Sequence, residues 1–340
     1  MKTIRPLVSL VMIASTGLAG ADMLHMQNGS VLVGTLVRAE RDTVIFNTPF
    51  AGDLKVAKKN IERIVTDEAV VLMLENGTVY RDRRIDAGEE ELVAVADGED
   101  PVTFALTDIE SINPEPWQLG EGYKWTGTIK VSAEFERGNS DTDEWDVSGE
   151  TVWRSLKDRY TLEGDVERDL KSGNKTSNNW ELKGKYDRFS ERDPRNYWGG
   201  RARFEYDEFQ DLDLRITAGP HIGRQFLDTA RLSLFGDVGP VWVDERFDEA
   251  DDNNYLGALW VLRATSDIIG FGSDLYTRHD GLFNTEDPDE LILNTTVGIK
   301  IPLAQGFETG FEAKWEYDGG AVDDVEELEE TYKLFVGYAW

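Results

Sequence analysis

Few residue types in this 340-residue chain could carry chemistry. It has no cysteine and only three histidines, His25, His221 and His279. Without cysteine there can be no disulfide framework, no thiolate metal site and no lipid anchor on a processed cysteine. His221 follows Pro220 on a polar strand phase, and His279 precedes Asp280 at what reads as the external end of a strand. No serine can be assigned to either, so the nucleophile, base and orienting group of a covalent mechanism do not assemble. No catalytic, cofactor or metal residue is assigned, and the chain reads as a non-enzyme, with a lipid-acting enzyme as the alternative. What the sequence has in abundance is ordered charge. Glu163, Asp165 and Glu167 stand at two-residue spacing, as do Lys183 with Lys185 and Arg201 with Arg203. On strands, that spacing puts each set on one face. Three neighbouring strands of this kind could form acid–base ladders that cross-link an interior, or line a narrow polar pore. Both readings stay open, although the mixed signs argue against the single-sign ring that strong ion selectivity requires.

Strands must hold these charges in place, and the chain supplies them from Trp125 onward. Twelve segments alternate apolar and polar residues, beginning with Trp125–Phe135, Trp145–Trp153 and Tyr160–Leu170 and ending with Phe307–Tyr317 and Tyr332–Trp340. Their length, about ten residues or slightly more, is that of a tilted strand crossing a bilayer. The ninth, Ile269–Thr277, alternates least cleanly. Connections alternate too. Short turns fall near Lys157-Asp158, Glu191-Arg192, Leu227-Asp228, Ser266-Asp267 and Ala304-Gln305, while most of the others are longer, Gln210-Asp211 excepted. Short periplasmic turns facing long external loops are the pattern of outer-membrane barrels. Tryptophans on the apolar phase make two girdles: Trp125, Trp153, Trp198 and Trp340 near one end, Trp145, Trp180, Trp242 and Trp315 near the other, with Trp260 between. The final stretch, YKLFVGYAW, is apolar at every second residue up to Trp340. It reads as the closing strand, carrying the signal by which barrel assembly machinery recognises its substrates. A secreted soluble β-sandwich is the other way to obtain period two.

The first half differs in kind. Lys2 and Arg5, the apolar run Leu7 to Leu18 and Ala19-Gly20-Ala21 form a secretory signal over residues 1–21. Residues 22–113 repeat with a period of 48: MLHMQNGSV at Met23 matches VLMLENGTV at Val71, and IERI at Ile61 matches IESI at Ile109. Each copy has an Asn-Gly hairpin turn and only short strands, so two tandem small SH3-like or Sm-like barrels are expected, with an open role in binding peptides or partners. Residues 114–124, opening on Pro114-Glu115-Pro116, are a linker to the barrel at 125–340. All ten tryptophans come after this break.

A net charge of −30 excludes a nucleic-acid partner. The excess acid gathers in expected external loops, at Asp248 to Asp252, Glu286 to Glu290 and Asp318 to Glu330. Such clusters could collect divalent cations and bridge to lipopolysaccharide, but they lack the glycine and spacing of an ordered calcium loop.

The stretch SAEFERGNSDT at Ser132–Thr142, the stretch from Lys185 to Phe226 and GDVGPVWVDE at Gly236–Glu245 resemble the YdiY-like salt-induced outer membrane proteins. The resemblance covers about the last 220 residues. It implies a barrel of unknown function in the outer membrane of a Gram-negative bacterium and an association with osmotic or salt stress. It brings no catalytic residues. The expectation is therefore all-β: a 12-stranded antiparallel transmembrane barrel, porin-like and set in lipid, behind a periplasmic duplicated module.

Overall fold

The computed structural model describes residues 21–340 except 41, 88–91, 96–99, 137–141, 173, 230, 271 and 322–325. Residues 1–20 of the expected export signal (1–21) lie outside the described residues, as do Gly138 to Asp141, Asp323 and Asp324. The chain divides into two compact units, one ending at Pro114 and the other running from Glu115 to Trp340.

The first unit is built from β1 (Asp22–Met26), β2 (Val31–Glu40), β3 (Thr43–Thr48), β4 (Gly52–Ala57) and β5 (Ile61–Val65), then β6 (Val70–Leu74), β7 (Val79–Ala87), β8 (Leu92–Val95), β9 (Val102–Phe104) and β10 (Ile109–Ile112). Each set of five ends in a short 3-10 turn and a last strand that pairs with its own first strand. The Asn-Gly turns have one geometry. Gly29 and Gly77 take φ of 83° and 81°, and the preceding Asn side chains accept from Ser30 N at 3.0 Å and Thr78 N at 2.9 Å. The two copies do not close separately. β10 also pairs with β2, and Thr66 N donates to Ile85 O on β7 at 2.9 Å, while Ile85 N donates to Thr66 Oγ1 at 2.9 Å. The ends of the copies thus reach into each other, and ten strands form one connected sheet where two small barrels packed together were expected. The reason lies in the core: Leu24, Phe46, Ile61 and Ile64 of one copy and Leu72, Ile85, Ile109 and Ile112 of the other share a single buried apolar cluster. Copies this small gain more apolar burial together than apart.

The second unit is a closed antiparallel barrel of twelve strands. These are β11 (Lys124–Glu136), β12 (Thr142–Arg154), β13 (Asp158–Lys171), β14 (Asn174–Phe189), β15 (Asn196–Asp207), β16 (Leu212–Asp228), β17 (Leu232–Phe247), β18 (Asn253–Gly270), β19 (Ser273–Asn284), β20 (Leu291–Pro302), β21 (Phe307–Asp318) and β22 (Leu328–Ala339). The ring closes where Thr128 to Val131 pair with Ala339 to Val336. Gly127 and Trp340 then exchange backbone hydrogen bonds of 3.0 and 3.2 Å. The Trp340 indole lies so close over Gly127 that a Cβ there would sit 2.3 Å from it.

One segment differs from expectation. β18 continues through Ser266-Asp267 to Gly270, with an irregular register between Ser266 and Gly270, and β19 runs from Ser273 to Asn284. Gly270 and Gly272 have positive φ, 79° and 74°, and these glycines take the reversal away from Ser266-Asp267. His279 is therefore mid-strand, and the loop to β20 begins after Asn284.

The two sides of the barrel wall are chemically opposite. Trp125, Trp145, Trp153, Trp180, Trp198, Trp242 and Trp340 are exposed on the outer phase, together with Val147, Val166, Leu182, Leu334 and Val336. Trp125 stacks on Trp153 and Trp180 on Tyr206, with centroids 6.4 and 6.3 Å apart. An apolar belt edged by aromatics is the outside of a barrel of outer-membrane type. Among the described residues no helix is long and apolar enough to cross a membrane, so any crossing falls to these strands.

Candidate functional site in the barrel lumen

Directly opposed residues of antiparallel strands share a face, so the pairing carries inward side chains around the wall in rows. One row runs Thr128, Glu150, Glu163, Lys183, Arg203 and Thr217 from β11 to β16. On one side of it Thr161, Lys185 and Arg201 are in register, and on the other Asp165, Glu181, Glu205 and Arg215. Glu167 stands one step further out, opposite Asn179. The seven charges that stand out in the sequence thus share the inward phase.

They do not pair with one another as neighbouring ladders. Glu163 binds Arg263 from β18, and Glu167 takes Lys333 from β22 at 2.5 Å. Arg203 contacts Glu181 and Glu205 at 2.8 Å and reaches Asp280 on β19 at 3.2 Å. Lys185 and Arg201 converge on Asp237 of β17, Lys185 at 2.6 Å. Lys183 binds Glu181 of its own strand. Asp165 lines the central cavity beside these groups.

Arg263 crosses the lumen. β18 and β12 lie on opposite sides of the ring of twelve, yet Arg263 Nη1 donates to Glu150 Oε2 at 2.9 Å while Nη2 donates to Glu163. Other bridges span nearly as far. Arg215 on β16 donates through Nε to Glu245 at 2.6 Å and through Nη2 to Asp318 on β21 at 3.1 Å. Toward the end of the barrel that holds the β14–β15 turn, Asp187 accepts from Arg159 at 2.7 Å and from His221 Nε2 at 2.7 Å, with Lys185 at 3.3 Å. On the facing wall Lys130 donates to Glu312 at 2.5 Å and to Tyr276 Oη at 3.1 Å, with the Phe335 ring 4.6 Å away. These bridges leave a cavity of about 180 Å³ in the lumen and a smaller one of about 70 Å³ among Glu167, Glu205, Asp207 and Asp318.

The inner wall is not polar throughout, as alternation had suggested. Val241, Val243, Tyr255, Leu259, Leu282 and Ile292 form a buried apolar cluster on the inward phase of β17 to β20. The trace in the sequence is Ala258 to Leu262, ALWVL, where alternation lapses because both faces are apolar.

The lipid-facing phase also holds polar groups that periodicity had not revealed. Trp260 Nε1 donates to His279 Nε2 at 3.1 Å, and His279 Nδ1 lies 2.9 Å from Thr295 Oγ1. A hydroxyl beside an imidazole looks like a nucleophile with its base, but the third member settles the roles. An indole can only donate, so Nε2 accepts, Nδ1 holds the proton, and Thr295 receives a hydrogen bond where an activated nucleophile would have to give one up. His221 is held by Asp187 in the buried interior. Among the described residues no group of three or more His, Cys, Asp or Glu side chains could hold a metal ion.

Residues 129–340, the barrel from early β11 to the end, match the family described as "Protein of unknown function, DUF481". The chain belongs to the DUF481 family. No curated protein matches it. Solved structures similar to this DUF481 chain include the NanC porin (10% identity, 63% of this chain and 98% of that one, TM-score 0.39). Others are the outer membrane channel DcaP of Acinetobacter baumannii (10%, 94% and 94%, 0.33) and the CymD monoaromatic hydrocarbon channel (10%, 66% and 89%, 0.27). These likenesses are remote, and the twelve-stranded closure of the DUF481 barrel stands on its own strand pairing.

Proposed function

We propose that this DUF481 barrel is a constricted outer-membrane pore of a Gram-negative envelope whose opening is set by ionic strength, a device suited to osmotic or salt stress. The carrying observation is Arg263, held by Glu150 and Glu163 from the opposite wall. Side chains of this triad remain between 14 and 23% exposed, so mobile ions can reach them; the Arg215–Glu245 pair, at 8 and 7%, is far better shielded. Salt therefore loosens the central bridges first. The aromatic-edged outer face supports lipid and lipopolysaccharide as surroundings, with the terminal strand addressed to the assembly machinery and the N-terminal unit in the periplasm. In that unit, a four-strand meander followed by a 3-10 turn and a strand returning to the first supports an SH3-like or Sm-like reading of each repeat.

The test is osmotic swelling of proteoliposomes with a small neutral sugar, at low and at high potassium chloride. Expected is slow swelling at low salt that accelerates at high salt, and fast swelling at both for Arg263→Ala. Swelling equally fast at both salts in the unaltered protein removes the reading.

A further inference from the structure

We infer that the central lumen cavity is a binding site for a small carboxylate bearing a short apolar tail. The site lies in the lumen of the proposed pore, but the inference depends on the cavity alone and not on conduction.

Polar atoms without partners point to a ligand. On the β15–β16 side, Arg201 Nε, Arg203 Nε and Thr217 Oγ1 are buried and have no hydrogen-bond partner among the described residues. All three side chains line the cavity, and Thr217 is only 1% exposed. Arg203 and Thr217 are register partners on adjacent strands, so their side chains leave the wall side by side. A buried polar group left unpaired costs about 1–3 kcal/mol, and three together call for an acceptor that the chain itself does not supply.

Charge gives the sign. The two free Nε–H groups belong to guanidinium cations and can only donate. A carboxylate meets both conditions, accepting from an arginine and from the threonine hydroxyl. A cation meets neither.

The apolar wall gives the rest of the molecule. Leu259 and Val261, on β18, line the same cavity, and Leu259 belongs to the buried apolar cluster. They offer no hydrogen bond and would be wasted on a bare inorganic anion. At about 180 Å³ the space exceeds the ~150 Å³ apolar cavity that takes up benzene, so four to six carbons fit.

The experiment is calorimetric titration of the full-length, detergent-folded protein with sodium butyrate, against sodium chloride, butylammonium chloride and 1-butanol at matched ionic strength. Saturable binding of butyrate alone is expected. Thr217→Val, which keeps the shape and removes the hydroxyl, should weaken it about tenfold, the equivalent of one hydrogen bond, while Thr217→Ser retains it. Heat-modifiable gel mobility confirms that each variant has folded. Four results overturn the inference: no saturable heat from the folded protein, butylammonium binding in place of butyrate, chloride binding as tightly as butyrate, or Thr217→Val and Thr217→Ser binding alike. A barrel that binds butyrate but never swells liposomes keeps the site and loses the pore; one that conducts without binding does the reverse.

Discussion

The two units use the same two-residue alternation in opposite senses. In the first, Leu24, Phe46, Ile64 and Leu72 point inward and are fully buried. In the second, most aromatics and aliphatics point outward, and the interior holds Arg215, Glu245, Asp187 and His221 beside one apolar cluster on β17 to β20. The difference follows from the solvent. The first unit is folded as for water, with burial of apolar surface as its driving force. A lipid-facing outer wall leaves little to gain by turning every apolar side chain inward, so most of the interior is charged, and each ion there must find a partner. An apolar core tolerates no polar substitution; an ionic one tolerates no unmatched substitution.

The strongest way to test this contrast is to truncate one buried residue in each core. Phe46→Ala should destabilise the first unit by about 3–5 kcal/mol through the cavity it leaves. Hydrogen exchange of peptides from residues 22–74 should report the loss, with no change in tryptophan fluorescence, because all ten tryptophans lie in the other unit. Arg215→Met should cost the barrel about as much, ~3–5 kcal/mol, by stranding Glu245 and Asp318. The triple change Arg215→Met, Glu245→Leu, Asp318→Leu should recover most of that in thermal unfolding. If the triple variant is less stable than the single one, the ionic core does not work by matching.

A smaller effect sharpens the outer face. Leu182→Arg places a charge on the exposed mid-belt of β14 and should cost about 2–4 kcal/mol in lipid vesicles. The same change in a soluble sandwich's surface would cost almost nothing, so an unaltered folding yield in vesicles would speak for the sandwich.

The smallest expected effect lies in the turn between β14 and β15. Asp193 accepts from Arg195 Nε at 2.9 Å and Nη2 at 3.0 Å, which holds its carboxyl at about 2, below the ordinary 3.8. Because the folded value is the lower one, the carboxylate's contribution is complete above the ordinary value and fades as pH falls through about 2. Asp193→Asn should remove that acid-side slope from the unfolding midpoint and change little near neutrality, since the pair is exposed and screened.

Most of the barrel is legible in the sequence because strand period and loop parity are local properties. Trp125 to Phe135 shows its two faces without any partner. The turn at Gly270 to Gly272 was hidden by the extra residues in β18, which break the alternation that would have located it. The ion pairs were out of reach for a different reason. Neighbouring strands can be ordered from the chain, but Arg263 meets Glu150 only after the ring has closed and brought opposite walls together. In the same way, the shared core of the repeats depends on β10 reaching β2, a contact between copies that a period of 48 cannot reveal.

The central claim, that ion pairs across the lumen control its opening, is tested most directly by single-channel conductance in a planar bilayer from low to high potassium chloride, for the unaltered protein and Arg263→Ala. The expected result is a conductance that rises more steeply than the bulk conductivity of the solution, with the variant already open at low salt and following bulk conductivity. A conductance proportional to bulk conductivity and identical in the two proteins would contradict it.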